Sequence, residues 1–523
     1  MKRSADRAWT ASGVVIGVAD GDVRVFRGIP YAAAPTGALR WRPPAAMLSW
    51  AGDRPATEFG PRCVQADRRA DSIGFFGLER QSEDCLYLNV WTAGVSGHDR
   101  LPVLVWLHGG ALEIGSGALP LSDGTELARR GVVVVTVNYR LGRLGYLAHP
   151  ALSVESVHGS SGNYGLMDQL AALRWVQDNI RAFGGDPDAV TLAGQSAGAM
   201  STSALMAVPA AAGLFHRVAL HSGATFGPVG DTAGTGDRMQ DLAAAENSGV
   251  RLSAAIGART ADELRALPAA LVQAVTIDGH VDAVPSPRPP GRFDTSWLIV
   301  DGTLLPSDVS TVFRQARQAA VPMLTGSTAD DWSIMPPLWA VEDFEATARR
   351  ELEANYKRFT KLFPTDSPAS TERVARQVIG YRNFIWQNFA AARAHAAAGH
   401  AAWHYRFEQV PPVPRDQSYV ENTAAELGAY HASDVYYLFG TMSARPWSWT
   451  EQDHAASEHM MRYWVRFMTG GDPNGGGDPF WHRFAPAAPT SMHLRADPYA
   501  GPTPDIARIT FWDRYFDSKN DDR

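Results

Sequence analysis

The chain has 523 residues, 45% hydrophobic and 20% charged, with a formal net charge of -7. That is ordinary globular composition, and without a long basic run it excludes a nucleic-acid-binding protein. No run of about 18 uncharged apolar residues occurs, which excludes a membrane-spanning helix. The sixteen Trp and 34 Pro predict long structured loops. The start, Met1 to Arg7, has no apolar core and does not read as a signal peptide. The default expectation is a cytoplasmic protein. The alternative is a secreted or periplasmic one with its signal removed.

Residues 23–25 alternate and read as an edge hairpin that runs into Phe26-Arg27-Gly28-Ile29-Pro30-Tyr31-Ala32. Pro30, Pro35, Pro43 and Pro44 then force an irregular path holding Arg40 and Trp41. Cys63 and Cys85 are the only cysteines. They either form a disulfide closing the loop between them or stay as two buried thiols. That loop carries Phe75 and Phe76, an apolar tip able to overhang a pocket. Its far end, Glu83-Asp84-Cys85-Leu86-Tyr87-Leu88-Asn89-Val90-Trp91, ends in a strand.

Residues 102–107 are continuously apolar, as a parallel central strand should be. They open into His108-Gly109-Gly110-Ala111-Leu112-Glu113-Ile114-Gly115-Ser116-Gly117. Such a Gly-rich loop presents backbone N–H groups to an anion. It lacks the Lys-Ser/Thr of a phosphate loop. Residues 132–138 form the next buried strand. Residues 164–183 read as an amphipathic helix, with Leu166, Leu170, Leu173 and Val176 near helical spacing, ended by Gly184-Gly185.

The stretch Val190-Thr191-Leu192-Ala193-Gly194-Gln195-Ser196-Ala197-Gly198-Ala199-Met200 goes from buried strand to sharp turn to helix. This is the context that the G-x-S-x-G pattern requires. The serine stands on a strained turn clear of the sheet. Gly194 and Gly198 lie where a Cβ would collide with a neighbour. The competing reading of Ser196 is a helix N-cap.

Residues 216–222 form another short strand. Residues 228–292 predict helices over the sheet, plus an insertion at 285–290. A strand over 321–324 leads directly into Gly326-Ser327-Thr328-Ala329-Asp330-Asp331-Trp332. Residues 342–400 are largely helical, and 403–407 form a late strand. Gly428-Ala429-Tyr430-His431-Ala432-Ser433-Asp434 opens a further segment. A helix over 451–468 stops at Gly471-Asp472-Pro473-Asn474. No repeat and no Pro/Ser linker divides the chain, which predicts one domain over 1–523.

Eight separated stretches, at 26–32, 83–90, 108–110, 138–141, 183–187, 194–199, 428–431 and 471–474, resemble the type-B carboxylesterases. These are the α/β-hydrolases that include bacterial carboxylesterases and the cholinesterases. The stretches occur in the family's order, nearly end to end. The resemblance implies an α/β-hydrolase fold: a mostly parallel sheet of eight or more strands, helices on both faces, long loop and helical insertions, and an active site in a deep gorge. It also implies a structural ion pair between Arg40 and Glu83.

An acyl-transfer site needs a nucleophile, a base, an orienting carboxylate and an oxyanion hole. Ser196 is the nucleophile, and the order serine, acid, histidine constrains the rest. His431 occupies the family's Gly-x-x-His position. His404 lies in a strand-like run and packs. His454, His459 and His482 sit on polar surfaces. The family has Gly-x-x-x-Asp-Glu after its strand; counting from Gly326, Asp331 takes the Glu position. Asp330 is the rival, or a loop carboxylate capping the next helix. The resemblance assigns the oxyanion hole to the amides of Gly110, Ala111 and Ala197. Where the family commonly has a third glycine this chain has Ala111. That donor survives if its φ is negative, and the methyl narrows the acyl side. Ser222 matches a family serine that hydrogen-bonds the acid; otherwise it caps a strand end.

The expected function is hydrolysis of carboxylic esters through an acyl-enzyme, with no metal or cofactor. The expected substrate is a small-molecule ester with an apolar part. The same triad attacks carbamates, amides and lactones. A non-catalytic adhesion-type member is the other alternative, but such members usually lose the nucleophile. The loop between Cys63 and Cys85 has no Trp, so a cholinesterase-type cation site is not supported there. Trp297, Trp332 and Trp339 flank the acid, either lining an apolar pocket or filling core.

Overall fold

A computed structural model describes residues 6–94, 96–230, 238–275 and 292–521. Eleven strands make one sheet: β1 (Val18–Asp20), β2 (Val23–Pro30), β3 (Tyr87–Thr92), β4 (Leu101–Leu107), β5 (Val133–Val137), β6 (Gly185–Gln195), β7 (Arg217–His221), β8 (Met323–Thr328), β9 (Ala402–Phe407), β10 (Thr490–Leu494) and β11 (Tyr499–Pro502). Their spatial order is β11-β10-β9-β8-β7-β6-β4-β5-β3-β2-β1. From β10 to β5 every neighbouring pair is parallel. The remaining strands at the two edges pair antiparallel. The inner strands are apolar on both sides because both faces are covered. Along β4, Val103, Val105 and Leu107 enter one apolar layer and Leu104 and Trp106 the other. The first layer takes side chains of α1 (Tyr164–Asn179), α2 (Ala197–Met206), α3 (Pro368–Gly380) and α4 (Trp386–Ala397). The second takes those of α5 (Asp434–Phe439) and α6 (Glu451–Gly470).

The parallel register sets where chemistry can occur. Gln195 on β6 aligns with His221 on β7, and His221 with Gly326 on β8. Ser196, Ser222 and the loop after Thr328 therefore leave the sheet from the same edge, at the carboxyl ends of three adjacent strands.

Most predicted elements match to within a few residues. The exception is β8, expected over 321–324, which continues to Thr328. Gly326 lies past the expected end of the strand. In the fold a Cβ there would lie 2.3 Å from Tyr405 O, so it is a strand glycine that lets β9 run close. The expected helix over 164–183 is α1 followed by a 3-10 turn, Ile180–Phe183, with Gly184 at φ 83°. Residues 228–292 hold helices Leu242–Ala255, Ala261–Ala266 and Ala269–Ala274, while the expected insertion at 285–290 lies outside the described residues. Helix α6 opens on a capping box of Thr450 and Asp453 and closes on Gly471 at φ 76°.

Arg40 and Glu83 form the expected ion pair, Nη2 to Oε1 at 2.5 Å. The candidate disulfide is not formed: Cys63 and Cys85 stand as two free, buried thiols. Leu141 N–H donates to Cys63 Sγ at 3.3 Å. The hydrogen bond to Cys63, then burial, pushes the Cys85 thiol well above its ordinary pKa, which favours its neutral form. The Phe75-Phe76 tip is held down by Arg445, whose guanidinium lies 4.1 Å from the Phe76 ring centre. Trp339 packs on Phe344 and Phe359 in the core, whereas Trp332 is half-buried beneath Gly380. No helix among the described residues is long and apolar enough to cross a membrane.

Three histidines are fixed in the interior as neutral rings. Burial lowers His108 and His395 to about 4, and His404 to about 3. Each is neutral in the fold, whereas in the unfolded chain each takes a proton near 6.5. The unfolded state thus binds more protons below about pH 6.5, and stability falls as pH falls from there toward 4. Between pH 7 and pH 5 the expected loss is about 2 kcal/mol per histidine. Urea unfolding checks this: the midpoint should drop with the slope unchanged, and an unmoved midpoint would contradict it.

Candidate active site

Ser196 sits at the junction of β6 and α2 with φ 56° and ψ -125°. L-residues rarely enter that region, and holding one there costs on the order of 1–3 kcal/mol. The surroundings enforce it. Ser196 N–H donates to His221 O at 2.8 Å. Three glycines permit the close approach. A Cβ on Gly194 would fall 2.4 Å from Gly198 C, one on Gly198 2.0 Å from Leu107 O, and one on Gly223 2.4 Å from Ser196 O. No side-chain capping bond from Ser196 is present, so the helix-cap reading has no support.

The two aspartates after β8 divide the work. Asp330 N–H donates to Ala429 O at 3.0 Å, and Ala429 N–H donates to Asp330 Oδ2 at 2.9 Å. A Cβ on Gly428, at φ 58°, would lie 2.1 Å from that oxygen. Asp330 therefore clamps the segment before His431, and burial raises its pKa. It does not cap the next helix. Asp331, 0% exposed, lies with Oδ1 2.7 Å from His431 Nδ1. Its Oδ2 accepts from Thr328 N–H at 3.1 Å. This bond fixes the imidazole tautomer: Nδ1 carries the proton and Nε2 is left as an acceptor.

His431 Nε2 meets the side chain of Gln195, with Nε2 to Nε2 at 2.9 Å. Among the described residues no hydrogen bond joins Ser196 Oγ to His431. Phe384 covers the imidazole face, ring centres 4.3 Å apart. It is carried by a π-helical turn, Tyr381–Ile385, between α3 and α4. An extra residue in a helix of this kind often marks a functional site. Neither Gln195 nor Phe384 is singled out by the sequence reading.

The Gly-rich loop passes beside the turn: a Cβ on Gly109 would lie 3.0 Å from Ser196 Cβ. His108 anchors it. Being neutral, its Nδ1–H donates to Gly109 O at 2.8 Å, its own carbonyl accepts from Tyr139 OH at 2.7 Å, and its ring stacks on Tyr139. Glu113 and Ile114 N–H both donate to Gly110 O at 3.0 Å. A Cβ at Gly110, φ 118°, would fall 1.9 Å from Ile114 O, so only glycine fits. The condition placed on Ala111 is not met: its φ is 56°, and Leu112 follows at 58°. The tight turn imposes this conformation, and the alanine methyl carries about 1 kcal/mol of strain for it. The amides of Gly110, Ala111 and Ala197 meet no acceptor among the described residues.

Ser222 departs from its expected role. Its N–H donates to Gly326 O at 2.8 Å, and its buried Oγ has no hydrogen-bond partner. The Asp331 oxygen turned away from His431 is already taken by Thr328 N–H. Of the other histidines, His404 packs against Ser491 Oγ at 2.8 Å, and His459 pairs with Asp478. A surface cavity lined by Arg7, Trp9, Arg24, Asn179 and Arg181 opens at the other end of the sheet. It abuts the start of β6, about 25 Å from Ser196 by the strand rise along the aligned β4, and takes no part in this chemistry.

Residues 8–512 match the model of the carboxylesterase family. The chain belongs to that family. It is 35% identical to the fumonisin B1 esterase of Sphingopyxis macrogoltabida over 91% of this chain and 84% of that one. It is 31% identical to the para-nitrobenzyl esterase of Bacillus subtilis over 89% and 90%. A solved thermophilic para-nitrobenzyl esterase superposes with a TM-score of 0.80 at 27% identity, covering 97% of this chain and all of that one. Carboxylesterase membership makes the protein an ester hydrolase. The α/β-hydrolase expectation holds, with eleven strands in the central sheet.

Proposed function

We propose that this carboxylesterase cleaves its ester through an acyl-enzyme on Ser196, with His431 as the base and Asp331 as the orienting carboxylate. The observation that carries the reading is the 2.7 Å bond from Asp331 to His431 Nδ1, at the edge of the sheet where the strained serine stands. Nδ1–H held by Asp331 leaves Nε2 basic. Nε2 takes the Ser196 proton as Oγ attacks the carbonyl carbon. The tetrahedral oxyanion is received by the amides of Gly110 and Ala197, each donor contributing about 3 kcal/mol in such sites, while Ala111, at φ 56°, fails the condition set for its donor. The imidazolium then protonates the leaving alcohol. Water, deprotonated by the same nitrogen, repeats the sequence in reverse and frees the acid.

The substrate class is a small carboxylic ester with an apolar part. Esters graded in acyl length, fumonisin B1 and a para-nitrobenzyl ester form the natural screen, with a carbamate and an amide to test the other bonds. The decisive measurement is fluorophosphonate labelling followed by peptide mapping. Label on Ser196 alone is expected. Label on any other serine overturns the assignment.

A further inference from the structure

We propose that Gln195 is a positioning residue that occupies the catalytic base at rest and has to release it before Ser196 reacts. The inference rests on the Ser196–His431–Asp331 reading above.

The argument starts from lone pairs. A neutral imidazole has one N–H and one acceptor nitrogen. Asp331 takes the N–H of His431, so a single acceptor site remains, at Nε2. The Gln195 carboxamide nitrogen lies 2.9 Å from it. Gln195 is only 6% exposed, so this contact is made away from bulk water, where a hydrogen bond is strong. Ser196 Oγ–H needs the same lone pair to be activated. Two donors compete for one acceptor, and in this structure the carboxamide holds it.

The other end of the carboxamide faces the Gly-rich loop. A Cβ on Gly109 would fall 2.4 Å from Gln195 Oε1. Gln195 thus spans the gap between the oxyanion loop and the base, and Gly109 leaves the space it needs. The carboxamide carries a donor at one end and an acceptor at the other. When Nε2 gains the serine proton, an N–H donor opposite it becomes repulsive. The carboxamide must then leave Nε2, because its hydrogen bond favours only the neutral ring.

Other charged and titratable groups lie on the elements that meet near His431. They are Asp331 at Nδ1, Asp330 clamped to Ala429, the neighbouring Tyr430, Asp434 at the start of α5, Arg406 of β9 donating to Ala329 O, and His108 at the root of the Gly-rich loop. Gln195 is the uncharged group among these neighbours that touches Nε2 itself. Changing it should move the titration of His431 without altering the rest.

The test uses Gln195→Met, which keeps length and burial but removes the donor, and Gln195→Glu, which puts a carboxylate at Nε2. The readouts are kcat/KM against pH on para-nitrophenyl acetate and the melting temperature. In general a donor hydrogen bond to an imidazole nitrogen favours the neutral form. Gln195→Met should therefore move the acidic limb up by about half a unit or more. It should also raise the plateau roughly two- to tenfold, since the serine no longer competes for Nε2. Gln195→Glu should move the limb up by on the order of one to three units. A limb that stays in place in folded variants, with or without a lower plateau, is the signature of packing alone and overturns the proposal. If Gln195→Glu fails to fold, Gln195→Met decides by itself. His431→Gln separates the two readings. If it labels with fluorophosphonate at the wild-type rate, the base assignment itself fails. If labelling needs His431 but the limb is unmoved, only the role of Gln195 falls.

Discussion

Ser196→Ala is expected to lower kcat for esters by about 10⁶ while the protein stays folded. The loss is large because no other group can form the acyl bond, so base and oxyanion donors lose the intermediate they serve. The fold is expected to survive because the Ser196 hydroxyl makes no hydrogen bond among the described residues. Alanine also keeps the Cβ, so the backbone strain at φ 56° is the same in both proteins. His431→Ala should cost about as much in kcat, and the double variant no more than either, since the two groups act as one unit. Stability separates them. Removing His431 leaves Asp331, at 0% exposure, with Thr328 N–H as its remaining partner. Losing a hydrogen bond to a charged group costs about 1.5–3 kcal/mol. Kinetics on a para-nitrophenyl ester together with melting curves check both halves. Residual kcat above about one hundredth of wild type in Ser196→Ala would mean that another residue is acylated.

The parts of this molecule visible in sequence are those whose physics is local. The run at 102–107 is apolar at every step, and that at 132–138 is interrupted only by Thr136 and Asn138, because both faces of β4 and β5 are covered, and the parallel core follows. The turn at Ser196 is legible because Gly194 and Gly198 have no room for a Cβ, and that requirement is written in neighbouring positions. The short edge strands β10 and β11 are not legible: Thr490–Leu494 mixes Thr, Ser and His with Met and Leu and shows no run. The extent of β8 is misread because Gly326 answers to Tyr405, a residue far along the chain. The site divides the same way. His431 and Asp331 are found by order and spacing, but the sign of φ at Ala111 depends on how the whole loop closes through Gly110 O. The contact of Gln195 with His431 joins residues 236 positions apart, and Phe384 reaches the same ring through a helical irregularity with no sequence mark. Ser222, expected to bond the acid, has an Oγ without a partner, and Thr328 N–H bonds Asp331 instead.

The Asp330-Asp331 pair gives the most discriminating expected result. Asp331→Asn should lower kcat by up to about 10⁴ with KM little changed. An asparagine at this place can turn its N–H₂ toward Nδ1, which drives the ring proton to Nε2 and removes the base. Its carbonyl can instead keep the bond, but then no charge stabilises the imidazolium of the transition state. Asp330→Asn should behave differently. Its Oδ2 only accepts from Ala429 N–H, a bond that an asparagine oxygen can keep, and burial already raises the acid's pKa. The cost should be about 1 kcal/mol of stability, with kcat within about tenfold. Asp331→Glu asks whether distance or charge dominates. It keeps the charge but adds a methylene at a fully buried site whose two oxygens are already committed to His431 and Thr328. Overpacking there costs about 1–3 kcal/mol. Activity between Asp331→Asn and wild type is expected, because a displaced carboxylate still stabilises the imidazolium. If instead Asp330→Asn is the inactive variant and Asp331→Asn is active, the carboxylate serving His431 in solution is the one before it in the chain, and the clamp and orienting roles exchange.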